Sequence, residues 1–197
     1  MSDVKINRRL NLVLTVDRAD GSTVHVHSVP VSQAVYEAHY TFFAKVMSSL
    51  YEDVQNPTMV ARIAYLRMRD LIRKDSELPN HARKFAGVES GLLADMWRLT
   101  NVIAPGANGY ETIPFLEAEQ RGLIDQEDCS EIRNDIAFFT VASWIHSSKE
   151  RPGMYELLDN TGAQTTSLDV TEYLRSLPTL KPAASTGATE KQLSIPS

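Results

Sequence analysis

The chain has 197 residues, 43% of them hydrophobic and 23% charged, enough apolar material for one ordinary domain to bury a core without staples or metals. Its 20 Lys and Arg against 25 Asp and Glu leave a formal charge of -5, which argues against a general nucleic-acid binder, whose affinity comes from a surplus of cations. A single cysteine, Cys129, excludes an intramolecular disulfide and a cysteine-based zinc cage, and no run reaches the roughly eighteen apolar residues that span a bilayer.

The opening Met1-Ser2-Asp3-Val4-Lys5 lacks the apolar stretch of a secretory signal, so a soluble protein of a reducing compartment is expected. Residues 1–9 are polar and basic and read as a flexible lead-in. Leu10 to Val16 alternates, with Leu10, Leu12, Leu14 and Val16 on one face and Asn11, Val13 and Thr15 on the other. Turn chemistry follows at Arg18-Ala19-Asp20-Gly21, and Thr23 to Ser28 alternates again, setting Val24 and Val26 opposite Thr23, His25 and His27. These two runs predict a β-hairpin with a solvated histidine face.

Everything after Pro30 reads as helix. Ser32 caps a first helix running to about Val54, with Val35, Phe42, Phe43, Val46 and Leu50 on its apolar stripe. Asn56-Pro57 starts a second helix, which buries Val60, Ile63, Ala64 and Leu71, presents Arg62, Arg69 and Arg73, and stops near Ser76. A third spans about Val88 to Val102. Pro105 to Gly109 is a loop, Tyr110 to Ile113 a short extended piece, and Pro114 starts a short helix closed by Gly122. Asp125 then caps a long helix whose apolar character becomes nearly all-round between Ile136 and Ile145, the mark of a central core helix. Pro152-Gly153 breaks it, and Met154 to Leu158 adds a turn or two. Asp169 and Glu172 form an acidic capping box for a last helix, Val170 to Leu177, ended by Pro178. Residues 179–197 turn to Pro, Ala, Ser, Thr and Gly without aromatics and predict a disordered tail. The expected architecture is mainly α: one helical domain over 10–178 with an N-terminal β-hairpin and a disordered C-terminal tail.

The common catalytic signatures are missing: no glycine-rich phosphate loop, no G-x-S-x-G elbow, no H-E-x-x-H and no Cys-x-x-Cys. His25 and His27 share a strand face, but a metal would need third and fourth ligands that the sequence does not place. Cys129 lies near a helix start, yet Asp125, Glu127 and Asp128 raise its thiol pKa and it falls on the stripe with Ile132, as a small buried hydrophobe does. The second helix carries Arg62, Arg67, Arg69, Arg73 and Lys74, interleaved with Asp70, Asp75 and Glu77. It reads as a solvated face or a surface for an acidic protein. No catalytic residue, cofactor site or metal site is assigned.

Several short stretches together resemble another set of proteins. Asn7-Arg8-Arg9-Leu10-Asn11-Leu12 leads into Val24-His25-Val26-His27-Ser28-Val29-Pro30-Val31-Ser32. Leu99-Thr100-Asn101-Val102, Gln120-Arg121-Gly122-Leu123-Ile124-Asp125 and Phe138-Phe139-Thr140-Val141-Ala142-Ser143 follow, and then Thr166-Ser167-Leu168, Glu172-Tyr173 and Ser176-Leu177-Pro178-Thr179. Over about residues 7–180 the chain resembles the tail assembly chaperones of long-tailed, non-contractile bacteriophages. The resemblance implies a non-enzymatic protein of the host cytoplasm that binds the tape-measure protein, keeps that long helical chain soluble, and recruits tail-tube subunits. It also implies departure before the virion is finished, and a longer frameshifted form in many members, whose extension would begin in the 179–197 tail. No membrane or nucleic-acid partner is implied, whereas self-association is compatible with exposed apolar surface. Apolar positions off the main stripes are the candidate partner-binding residues: Tyr36, Tyr40, Met47, Tyr51, Tyr65 and Leu66. Two alternatives stand beside this reading. One is a structural virion protein for tail completion or head–tail connection; the other is a small enzyme or regulatory module using His25, His27 or Cys129.

Overall fold

A computed structural model describes residues 10–18, 21–52, 59–107 and 109–178. The expected lead-in and tail, the Ala19-Asp20 turn, the end of the first helix at Val54, the Asn56-Pro57 start and Asn108 lie outside them. Strands β1 (Asn11–Asp17) and β2 (Thr23–Ser28) form the expected antiparallel hairpin, with Leu14 opposite Val26 and Thr15 opposite His25. Helix α1 (Gln33–Glu52) follows, with Ser32 Oγ accepting from Val35 N at 3.4 Å and a kink at His39. Next are a short 3-10 turn (Ala61–Ile63), α2 (Ala64–Ser76), a π-type turn (Glu89–Leu93) and α3 (Ala94–Arg98). Strands β3 (Thr100–Gly106) and β4 (Gly109–Pro114) lead to α4 (Phe115–Gln120) and α5 (Gln126–Ile145). The chain then forms α6 (Arg151–Asp159), β5 (Ala163–Thr166) and α7 (Val170–Ser176).

The mainly α expectation is overturned. The hairpin is the middle of a five-stranded antiparallel sheet in the order β4-β3-β2-β1-β5. Two strands alone are marginal in water, and here the hairpin is flanked on both sides. The third helix stops short because the Thr100 hydroxyl donates to Met96 O at 2.9 Å, taking up a terminal carbonyl, while Ser28 Oγ donates to Thr100 at 2.8 Å. That pair of bonds takes the chain from α3 into β3, alongside β2. Pro105, which lacks a donor, lies past the residues of β3 that pair with β2. Gly109 closes the β3–β4 hairpin opposite Gly106 at φ 121°, a conformation L side chains avoid. Pro152-Gly153 does not break the long helix, which has already ended at Ile145; Pro152 sits in the first turn of α6, where its missing N–H is harmless.

One sheet face, with Leu12, Leu14, Val24, Val26, Val102, Ala104, Ile113 and Ala163, joins the main core, to which α1, α2 and α5 also contribute. The other face is not solvated. His27 is 0% exposed and His25 9%, and Val13 and Ile103 are buried beside them. Tyr173 of α7 lies over both imidazoles, with ring centroids 6.2 Å from His25 and 5.9 Å from His27, and Tyr110 of β4 meets His25 edge-on. His27 Nε2 lies 3.0 Å from Leu168 O; a carbonyl only accepts, so Nε2 carries the proton. Asn11 Nδ2 donates to the same carbonyl at 2.8 Å. The hairpin pattern could not show this cover, because α7 lies more than a hundred residues downstream. Replacing Tyr173 with Ala should cost about 1–2 kcal/mol by removing that packing. Hydrogen exchange should quicken over 168–176 and leave α5 unchanged, whereas exchange unaltered over 168–176 would contradict the clamp.

Candidate functional site

Helix α5 organises the interior. Asp125 begins it with a capping box, accepting from Asp128 N at 2.8 Å while the Asp128 carboxylate accepts from Asp125 N at 3.4 Å. Just before it, Gly122 at φ 68° closes α4, with Leu123 N donating to Ala118 O at 3.0 Å. From Asn134 to Ser143 every residue of α5 is buried. Such a helix must find a partner for each polar group it carries inward.

The six candidate partner-binding residues separate into two sets. Tyr36 stacks on Trp144 at 4.9 Å, and the Trp144 indole donates to Val31 O at 3.1 Å. Met47 is buried in the core. Tyr65 packs edge-on to Trp97, and the Arg133 guanidinium stands 6.0, 5.7 and 5.6 Å from the ring centres of Tyr65, Trp97 and Phe115. Arg133 also pairs with Glu119 at 2.7 Å. Tyr36, Met47 and Tyr65 thus serve the fold. Tyr40, Tyr51 and Leu66 stand out at 61%, 51% and 55% exposure. Tyr40 and Tyr51 are eleven positions apart, three helical turns along one face of α1, with exposed Ala44 and Ser48 between them. The Tyr51 hydroxyl donates to Met154 Sδ at 3.2 Å, which fixes that end of the face against α6.

The other sequence candidates are held in place by their surroundings. Burial leads the shifts at Cys129, with the Glu119 carboxylate adding to it, and the thiol is pushed up to about 11. It is protonated at neutral pH. Burial lowers His25, against the pull of Asp17. Among the described residues, no group of three His, Cys, Asp or Glu is arranged to hold a metal ion. The basic stretch of α2 is neutralised on the surface: Arg73 pairs with Asp70 and Glu77, Lys74 with Asp70, and Arg69 with Glu89. Asp75 does not share that solvated face. It is buried and accepts from Lys84 N at 2.8 Å and Phe85 N at 2.9 Å, pinning the loop after α2.

No motif marked the cleft between α5, the start of α2 and the α6–β5 loop. It has a volume of about 210 Å³ and is walled by Arg62, Leu66, Ser130, Glu131, Asn134, Asp135, Asn160 and Thr161. Asn134 Oδ1 accepts from Tyr65 N at 3.0 Å and Leu66 N at 3.4 Å, satisfying the free donors at the start of α2. Its Nδ2 donates to Ser130 O at 2.8 Å. Arg62 Nη2 donates to Asn160 O at 3.3 Å. Asp135 is 2% exposed, and its buried Oδ2 has no protein partner. Burial raises the Asp135 carboxyl to about 7. Asn134 and Asp135 directly precede an Ile-Ala-Phe-Phe core sequence, and that adjacency was the one available signal.

Comparison with protein families, with curated proteins and with solved structures returns no match. Among the described residues, no helix is long and apolar enough to cross a membrane.

The raised Asp135 carboxyl has a defined thermodynamic sign. The folded state holds this proton up to about pH 7, whereas the unfolded chain releases it near pH 4. The stability so gained is complete below pH 4 and lost as pH rises through 7. Asp135→Asn should therefore leave stability nearly unchanged at pH 4 and raise it at pH 8 by on the order of 4 kcal/mol. Denaturant unfolding across that range measures it, and a difference independent of pH would refute the assignment.

Proposed function

We propose that the chain is a non-enzymatic tail assembly chaperone of a long-tailed, non-contractile bacteriophage. It binds the tape-measure protein, helps to recruit tail-tube subunits in the host cytoplasm, and leaves before the virion is complete. The resemblance over residues 7–180 supplies the family, and the exposed face of α1 is the observation that carries the reading. Tyr40 and Tyr51 offer two large amphipathic rings, and the small side chains of Ala44 and Ser48 between them allow a second helix to approach closely. Exposed tyrosines of this kind are where binding energy concentrates at interfaces. Leu66 adds a further exposed apolar side chain on α2. A second copy of the chain would use the same chemistry, so self-association competes for this face.

Affinity purification from infected cells, with mass spectrometry of the recovered partners and of purified virions, tests the reading. The expected result is recovery with a long helical protein and with tail-tube subunits, and absence from virions. Fixed copy number in virions would overturn it in favour of a structural tail-completion or head–tail connector protein. The double variant Tyr40→Asp/Tyr51→Asp should keep its fold by circular dichroism and lose at least about tenfold in affinity for the tape-measure protein. Unchanged affinity would remove the α1 face from the proposal.

A further inference from the structure

The cleft at Asp135 has a chemistry that the chaperone reading does not use. Its volume of about 210 Å³ is below the range of about 300–1,000 Å³ typical of drug-sized ligands, so it suits one slender group. Most polar groups of the wall are engaged. Asn134 bonds to the start of α2 and to Ser130 O, Arg62 donates to Asn160 O, and Thr161 Oγ1 donates to Leu158 O at 2.7 Å. What stays without a protein partner is Asp135 Oδ2, a buried oxygen of a residue that lines the cleft; in the carboxylate form it only accepts, so the group that completes it is a hydrogen-bond donor. Glu131, one turn earlier on α5, adds a second carboxylate at the wall, against the single guanidinium of Arg62. The balance favours a cation. A guanidinium prefers two oxygens side by side for its fork, whereas one open oxygen suits the compact charge of an ammonium. Among the described residues, no group of three His, Cys, Asp or Glu is arranged to hold a metal ion, here or elsewhere. Leu66, more than half exposed at the cleft wall, gives methylene groups an apolar surface.

We propose that this cleft binds a primary ammonium carried on an unbranched alkyl chain, with Asp135 Oδ2 as its acceptor and Leu66 against its methylenes. The ammonium arrives either on a free alkylamine or on a lysine side chain of a protein partner. The charged groups facing Asp135 are Glu131 from its own helix and Arg62 from the turn before α2; the α6–β5 loop contributes only the neutral Asn160 and Thr161. Binding draws Asp135 into its carboxylate form and releases its proton. Affinity therefore rises with pH through about 7, while the amine, with an ordinary pKa of about 10.4, stays charged.

The probe is n-butylammonium chloride, titrated into the full chain and followed by amide NMR shifts at pH 6 and pH 8. A saturable response at Glu131, Asp135 and Thr161 is expected, with a Kd in the millimolar range for so small a ligand and about tenfold tighter at pH 8 than at pH 6. Asp135→Asn should weaken binding at least tenfold and Glu131→Gln about threefold, and n-butanol should produce no saturable shift. The proposal fails if no saturable shift appears, if butanol matches butylammonium, or if Asp135→Asn binds as well as the parent. The source is read from a partner complex: displacement by butylammonium, with weakening by Asp135→Asn, identifies a lysine side chain. Loss of butylammonium binding with the complex intact identifies a free amine. None of these titrations depends on the phage assignment.

Discussion

The all-round burial of α5 is the constraint on which the rest of the molecule depends. A helix with one apolar stripe needs one neighbour; a helix buried from Asn134 to Ser143 needs neighbours on every side. The chain supplies them with α1, α2, α6 and the inner face of the sheet, elements drawn from both halves of the sequence. The arrangement then has to satisfy the polar groups carried inward. Asn134 is used to cap the start of α2, and Ser143 meets the Tyr155 hydroxyl of α6 at 3.0 Å. These bonds tie the outer helices to the central one at fixed positions, which packing alone would leave free to slide. Asp135 is less well served: its Oδ2 finds no protein partner, and the residue lines the cleft between α5, the start of α2 and the α6–β5 loop.

The same principle operates on the far side of the sheet with the opposite outcome. His25 and His27 are placed there by strand alternation, and a hairpin alone would leave them in water. Tyr173 and the Leu168 carbonyl convert that face into a second, smaller interior. Because Leu168 O accepts from both Asn11 and His27, the C-terminal part of the chain is bonded to its first strand. Inside, Tyr36, Met47 and Tyr65 are used for packing, while Tyr40 and Tyr51 stand more than half exposed on α1, Tyr51 with its hydroxyl on Met154. The α1 face and the Asp135 cleft differ in kind: one is an open aromatic surface, the other a small carboxyl-floored cavity.

Much of the local structure was legible because its causes are local. The Leu10–Val16 and Thr23–Ser28 alternations specified the hairpin, and its register keeps Leu12, Leu14, Val24 and Val26 on one face. Asp125 and Asp169 act as caps where their spacing to Asp128 and Glu172 indicated, and Gly122 takes the left-handed conformation expected of it. The strands were not all legible. In Thr100–Gly106, Val102, Ile103 and Ala104 are buried in succession because both sheet faces are covered there, so no alternation betrayed a strand. Ala163–Thr166 is only four residues long and becomes a strand by pairing with β1.

The sequence by itself determined the hairpin, the caps, the all-round apolar character of α5 and the net negative charge, since each follows from residues within a few positions of one another. Tertiary structure alone decided that the hairpin is the middle of a larger sheet, that the histidine face is closed, and that Tyr40 and Tyr51 stay exposed while Tyr36, Met47 and Tyr65 do not. It also decided that Asp135 faces a cleft with an oxygen to spare. The physical reason is that strand pairing, burial and the desolvation of a carboxyl depend on which distant segments come together, and helical or strand periodicity carries no record of that.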